Sequence, residues 1–142
     1  MSGGAAWRQT IFYPYFFASV YGRGEALRLS VKSPGYDSEV ADNVPYLDIS
    51  GVYDAGGKTL TFFAVNRHGA ETLDLDVDLQ GFAAARIADY QVMTSADLEA
   101  VNTLKKPTTV APKAGAGAQV KDGRLAASLP RHSYQMIRLA LA

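Results

Sequence analysis

Asp74, Asp76 and Asp78 recur at every second position, the first residues in this 142-residue sequence whose type and spacing suggest chemistry. Carboxylates two apart on a strand share a face but stand about 6.6 Å from one another. A calcium ion wants roughly six to eight oxygens at about 2.3–2.6 Å, which such a ladder cannot supply alone. The ladder therefore reads as a solvated strand face. The stretch Tyr36-Asp-Ser-Glu-Val-Ala-Asp-Asn43, followed by Asp48, can fold its carboxylates together, but it lacks the spacing of an EF-hand. Asp and Asn acting as local caps in a turn-rich loop account for it more simply. His68 and His132 lie in turn contexts and are expected at the surface, and no Ser stands in a G-x-S-x-G elbow. Tyr36, Tyr46, Tyr53 and Tyr90 are candidates for stacking on sugar rings, whose faces are apolar like theirs. The glutamates are Glu25, Glu39, Glu71 and Glu99, in no recognisable catalytic pair. These residues specify no reaction, and neither a metal site nor a cofactor is expected.

Composition narrows the class further. Fourteen basic and fourteen acidic residues cancel, so there is no electrostatic case for nucleic acid or an anionic membrane as partner. Cysteine is absent, which removes disulfides, thiolate nucleophiles and Cys-based zinc sites together. The first six residues lack the charged start and apolar core of an export signal. With zero Cys, this gives a cytoplasmic expectation. The longest apolar stretch, residues 11–20, is broken by Pro14 and too short to span a bilayer. At 48% hydrophobic and 20% charged, the chain is expected to bury one ordinary core.

Two unlike regions must hold these residues. The run Trp7-Arg-Gln-Thr-Ile-Phe-Tyr-Pro-Tyr-Phe-Phe-Ala-Ser-Val-Tyr21 carries seven of the fifteen aromatics. Trp7, Ile11, Tyr15 and Ala18 recur at helical spacing, as do Phe12 and Phe16, and Tyr13 and Phe17. A helix is expected, kinked by Pro14 and ended by Gly22 and Gly24. It would be apolar nearly all round and so require burial on more than one side. Exposed Trp7, Phe12, Phe16 and Phe17 are expected to drive self-association.

From Glu25 onward the period is two. Leu27, Leu29 and Val31 alternate with Arg28, Ser30 and Lys32, and Leu73, Leu75, Val77 and Leu79 alternate with the aspartates. Residues 60–65, apolar on both faces, read as a central strand. Further strands are expected over residues 47–53, 84–93, 124–129 and 134–141. Turn signals at Ala55-Gly-Gly57, Arg67-His-Gly69, Gln80-Gly81, Asp122-Gly123 and Pro130 separate them. Seven or so short strands with such turns predict an all-β, antiparallel sandwich or barrel. Residues 33–46 and 95–117 are long connections, and the run Lys113-Ala-Gly-Ala-Gly-Ala118 has no side chain able to grip a ligand and is expected to be mobile.

Trp7-Arg-Gln-Thr-Ile-Phe-Tyr-Pro14, then Ala18-Ser19 and Tyr21-Gly-Arg-Gly24, resembles a stretch of the α-L-arabinofuranosidases of glycoside hydrolase family 51. The similarity continues through Val44-Pro-Tyr-Leu47, Phe63-Ala-Val-Asn-Arg67, Asp78-Leu-Gln-Gly-Phe82, Asn102-Thr-Leu104, Pro107, Ser128-Leu-Pro130 and Ile137-Arg-Leu139. The resemblance implies a (β/α)8 catalytic barrel followed by a jelly-roll-like antiparallel β-sandwich. Residues 1–24 would be a remnant of the last barrel segment and its helix, and residues 25–142 the C-terminal sandwich. Family enzymes hydrolyse terminal α-L-arabinofuranosyl linkages with retention, using two glutamates on barrel strands. None of the four glutamates here matches those motifs, so the chain alone is not expected to be an enzyme. Gln9 resembles a sugar ligand at the end of the last barrel strand, here a vestigial substrate contact, with Trp7 beside it as packing. The implied role is a non-catalytic accessory domain that braces the barrel, its implied partner, and contributes to homo-oligomer assembly through the N-terminal helix. The alternative is a carbohydrate-binding module for arabinose-containing polysaccharides.

Overall fold

A computed structural model describes residues 4–82 and 85–142. Among the described residues, which include a 3-10 turn at Gln80–Phe82, one α-helix, α1 (Phe12–Tyr21), precedes eleven strands. These are β1 (Glu25–Ala26), β2 (Gly35–Tyr36), β3 (Val44–Pro45), β4 (Leu47–Asp54), β5 (Thr59–Asn66), β6 (Leu73–Asp78), β7 (Ala85–Thr94), β8 (Lys113–Ala114), β9 (Gln119–Lys121), β10 (Arg124–Leu129) and β11 (Ser133–Leu141). Every strand pair is antiparallel. The main sheet has six strands in the order β1-β4-β5-β11-β7-β8. A three-stranded sheet, β6-β10-β9, lies over it, and β2 and β3 form a separate hairpin.

The period-two pattern builds the core where the two sheets meet. Leu60, Phe62 and Ala64 of β5 join Ile137 and Leu139 of β11 against Leu75 of β6 and Leu125, Ala127 and Leu129 of β10. Ile137 sits opposite Phe62 on one side and Tyr90 on the other, fixing three central strands in one register. Strand β7 departs from simple alternation. A bulge opposite Arg138 and Leu139 skips Ala88, so Tyr90 and Val92 face the core on one side of it and Ile87 and Ala85 on the other.

Two expectations need correction. Residues 27–32 form no ladder beyond β1; after the Leu27 N–H donates to the Gly51 carbonyl, the chain leaves the edge of β4. Leu27 and Leu29 still turn inward, where they line a cavity of about 360 Å³ at the open edge between the sheets, while Val31 is exposed. The Gly/Ala run is docked: β8 pairs with β7, and the Gly115 N–H donates to the Tyr90 carbonyl. A Cβ at Gly115 would run into the Tyr90 ring, so glycine there permits the close approach. Ala84, the expected start of the strand over residues 84–93, lies outside the described residues.

A buried asparagine ties one end of the sandwich. The Asn66 amide donates to the carbonyls of Glu71, Leu129 and Pro130, and its Oδ1 accepts from the His68 N–H. Four backbone groups of two turns are satisfied around one fully buried side chain, and Ser133 also donates to the Pro130 carbonyl.

Candidate functional site

The N-terminal segment lies on the outer face of the main sheet, away from the core. Helix α1 is shorter than the periodicity predicted: Trp7 to Gln9 are not helical, and Pro14 falls in the first turn, where no intrahelical hydrogen bond is lost and no kink results. The helix has no side-chain N-cap and no acidic residue in its first turn. Aromatic and β-branched residues fill most of its ten positions, so packing rather than propensity must hold it.

That packing comes from one stripe. Phe17 is buried at 8% exposure and stacks on Tyr134 of β11, with centroids 6.4 Å apart. One turn on, Tyr21 receives the Arg138 guanidinium over its ring at 5.2 Å. Met136, between Tyr134 and Arg138 on the same face, is fully buried, and Met93 and Val110 are buried beyond it. Phe17, Met93, Val110 and Met136 are buried yet stand apart from the inter-sheet core. Burial pushes the Tyr134 phenol well above its usual range, and does the same more mildly for Tyr90. Phe17 was expected in the exposed patch; its seat on Tyr134 removes it.

The remaining arc of α1 faces solvent. Phe12, Tyr15, Phe16 and Val20 are all exposed, Tyr15 at 72%, and the Phe12 and Phe16 rings stack at 5.7 Å. Ile11 and Trp7 extend this apolar surface toward the chain start.

Trp7 and Arg8 are held by the loop of residues 95–112. The Trp7 indole N–H donates to the Asn102 carbonyl at 3.0 Å. The Asn102 amide donates to the Arg8 carbonyl at 3.0 Å and to the Val110 carbonyl at 2.8 Å, while its Oδ1 accepts from the Val110 N–H. Gln9, next in the chain, is exposed, and its carbonyl accepts from the Phe12 N–H. Thr10 borders a cavity of about 450 Å³ shared with Met93, Val110, Tyr134 and His132. Asn102 appeared in the sequence only within a similarity motif; its burial in a polar-looking loop has no local sequence signal.

The other candidates are spent inside the domain. Tyr36 stacks on Tyr46, and Tyr46 packs against His68 at 4.2 Å. Tyr53 packs on Phe82, and Tyr90 is buried. His68, expected at the surface, is half-buried: its Nδ1 accepts from the Ala70 and Glu71 N–H groups, organising the turn between β5 and β6. His132 is likewise half-buried, its Nε2 3.0 Å from the Gly69 carbonyl. Asp76 is gripped by Arg124 from the neighbouring strand, which lowers its pKa, and Asp78 lies 3.8 Å from the same guanidinium. Asp37 accepts from the Asn43 N–H as a loop cap, and Asp48 pairs with Arg67. The four glutamates sit exposed on four different segments.

Residues 1–133 match the family model described as the α-L-arabinofuranosidase C-terminal domain. The chain belongs to that family. This domain is 41% identical over 137 residues to an intracellular exo-α-(1→5)-L-arabinofuranosidase of Halalkalibacterium halodurans, covering 96% of this chain and 27% of that protein. It is 40% identical to a protein of the same description from Bacillus subtilis, again over 96% of this chain and 27% of the relative. Among solved structures, a family 51 α-L-arabinofuranosidase from Bifidobacterium longum superposes with a TM-score of 0.87 at 31% identity, over 95% of this chain and 26% of that one. The arabinofuranosidase C-terminal domain thus spans about a quarter of the relatives it matches, and the catalytic barrel is not part of it. Its antiparallel sandwich with a leading helix is the fold expected. No helix among the described residues is long and apolar enough to cross a membrane.

Proposed function

We propose that this chain is the non-catalytic accessory domain of an arabinofuranosidase and braces a (β/α)8 catalytic barrel through the exposed face of α1. One observation carries the reading: a helix of poor intrinsic propensity buries only Phe17, sets Phe17 and Tyr21 against β11, and turns Phe12, Tyr15, Phe16 and Val20 outward. An uncapped ten-residue helix with such a face gains from a second partner. The matched quarter of the relatives supports the barrel as that partner. On this reading residues 1–24 complete the barrel while resting on the sandwich of residues 25–142. Gln9, an amide that both donates and accepts, reaches the sugar pocket of the assembled enzyme. The parent would remove terminal α-L-arabinofuranosyl groups with retention. Relatives named intracellular support a cytoplasmic setting. In isolation the same apolar face would join copies of this chain.

A glycan-binding module is less well supported, because Tyr36, Tyr46, Tyr53 and Tyr90 are committed to protein rings or the core. The test adds this chain to an arabinofuranosidase truncated before the matched region. Recovery of a complex on gel filtration, with arabinofuranosidase activity, is expected, and F12D/F16D should abolish both. Failure to associate, together with retarded migration of the chain in arabinan gels, would overturn bracing in favour of glycan binding.

A further inference from the structure

The loop of residues 95–112 has no task in the sandwich core, yet Asn102 within it is 1% exposed and fully bonded. We infer that Asn102 is a positioning residue: it fixes the Trp7–Arg8 backbone to the sandwich and so sets where Gln9 is presented to a furanose ring. This rests on the reading of Gln9 as a sugar contact.

The geometry carries the inference in three steps. First, Asn102 joins two segments 94 residues apart in sequence, because one amide serves Arg8 and Val110 together. Its own carbonyl receives the Trp7 indole N–H, so the attachment has two points on consecutive residues. Two points restrain rotation as well as position, and the buried donor and acceptor leave little alternative geometry.

Second, little else restrains the segment there. Trp7 is 41% exposed, Gln9 is exposed, and Thr10 sits over a cavity. The next firm anchor is Phe17 on Tyr134, well into the helix. The turn between the anchors is closed by the Phe12 and Tyr13 N–H groups donating to the Gln9 and Thr10 carbonyls.

Third, placement of a substrate contact is steep in its effect. A misplacement of about 1 Å can cost roughly 100-fold in rate. A clamp one residue from Gln9 is the shortest lever the domain has on a sugar pocket.

Two measurements test this. In the chain itself Trp7 is the single tryptophan, so its fluorescence anisotropy reports the clamp directly. Asn102→Ala should lower that anisotropy and speed amide exchange at Phe12 and Tyr13 by roughly tenfold or more, leaving central amides of β5 and β11 protected. Trp7→Phe removes the indole N–H together with the smaller ring of the indole, at a part-exposed site, and should give a smaller rise in exchange at Phe12. It serves if Asn102→Ala fails to fold. Unchanged exchange in both variants would overturn the inference.

The second measurement uses an arabinofuranosidase whose C-terminal domain is this chain. Asn102→Ala should lower kcat/KM about tenfold or more, Trp7→Phe by a lesser factor, and neither should lower it further in a Gln9→Ala background. A merely structural defect would instead multiply with Gln9→Ala. Full additivity, or a harmless Asn102→Ala beside a damaging Gln9→Ala, would overturn the positioning role. A harmless Gln9→Ala would overturn the sugar-contact reading while leaving the exchange result to judge the clamp.

Discussion

The two faces of the six-stranded sheet are finished to different degrees. Its inner face is closed by β6 and β10, and Leu60, Phe62, Ile137 and Leu139 lose almost all contact with water. Its outer face is covered at one end by a helix that buries a single side chain of its own and exposes a row of aromatics. Polar residues cover the outside of the small sheet, where Arg124 lies against Asp76 and Asp78, whereas apolar residues cover the outside of α1. The difference separates two kinds of surface: the sheets close on each other, whereas α1 leaves Phe12, Tyr15, Phe16 and Val20 exposed.

The largest effect should come from the finished face. Ile137→Ala in the centre of β11, with Phe62 and Tyr90 on either side, should cost about 2–5 kcal/mol in a denaturant titration. A cost below that range would mean the core relaxes around the gap, and the contrast with the outer face would shrink.

The unfinished face supplies an internal comparison between adjacent aromatics. Phe17→Ala should cost about 3 kcal/mol, because Phe17 is buried and stacked on Tyr134. Phe16→Ala, at 43% exposure, should stay within about 0.5 kcal/mol in the isolated chain while reducing its self-association on gel filtration. Equal costs at the two positions would show that α1 is already complete.

This asymmetry was half legible in the sequence. Six strands could be located from alternation and turn residues, and β10 at residues 124–129 fell at its full length, because a half-buried strand writes its two faces into every second residue. Where the backbone breaks that rhythm, legibility fails. The bulge at Ala88 swaps the inward set within β7, and residues 27–32 keep their alternation without a neighbouring strand to pair with. The helix was recognisable by its aromatics, but the choice of Phe17 over Phe16 as the buried ring depends on where α1 meets β11. Helical spacing offered several stripes alike. The expectation for Gln9 rests on family resemblance alone. Asn102 was not legible as a clamp, since a polar residue in a long loop looks like solvent-facing loop until its partners, Arg8 and Val110, are brought to it.

The smallest effect is expected on the polar outside of the small sheet. Arg124 donates to both Asp76 oxygens at 2.9 and 2.8 Å, and this hydrogen bonding holds the Asp76 carboxyl below its ordinary value of 3.8. A carboxylate depressed in the folded state contributes stability above its unfolded pKa and loses that contribution as pH falls through the folded one. Arg124→Ala should therefore leave stability unchanged in strong acid, lower it slightly at neutral pH, and lower it least in high salt, because the pair is exposed. Urea titrations of both proteins at pH 2 and pH 7, with and without 1 M salt, check each point. A large neutral-pH loss would make the small sheet's outer face part of what holds the sandwich together. A small one leaves it as a solvated surface, in contrast to the exposed apolar face of α1.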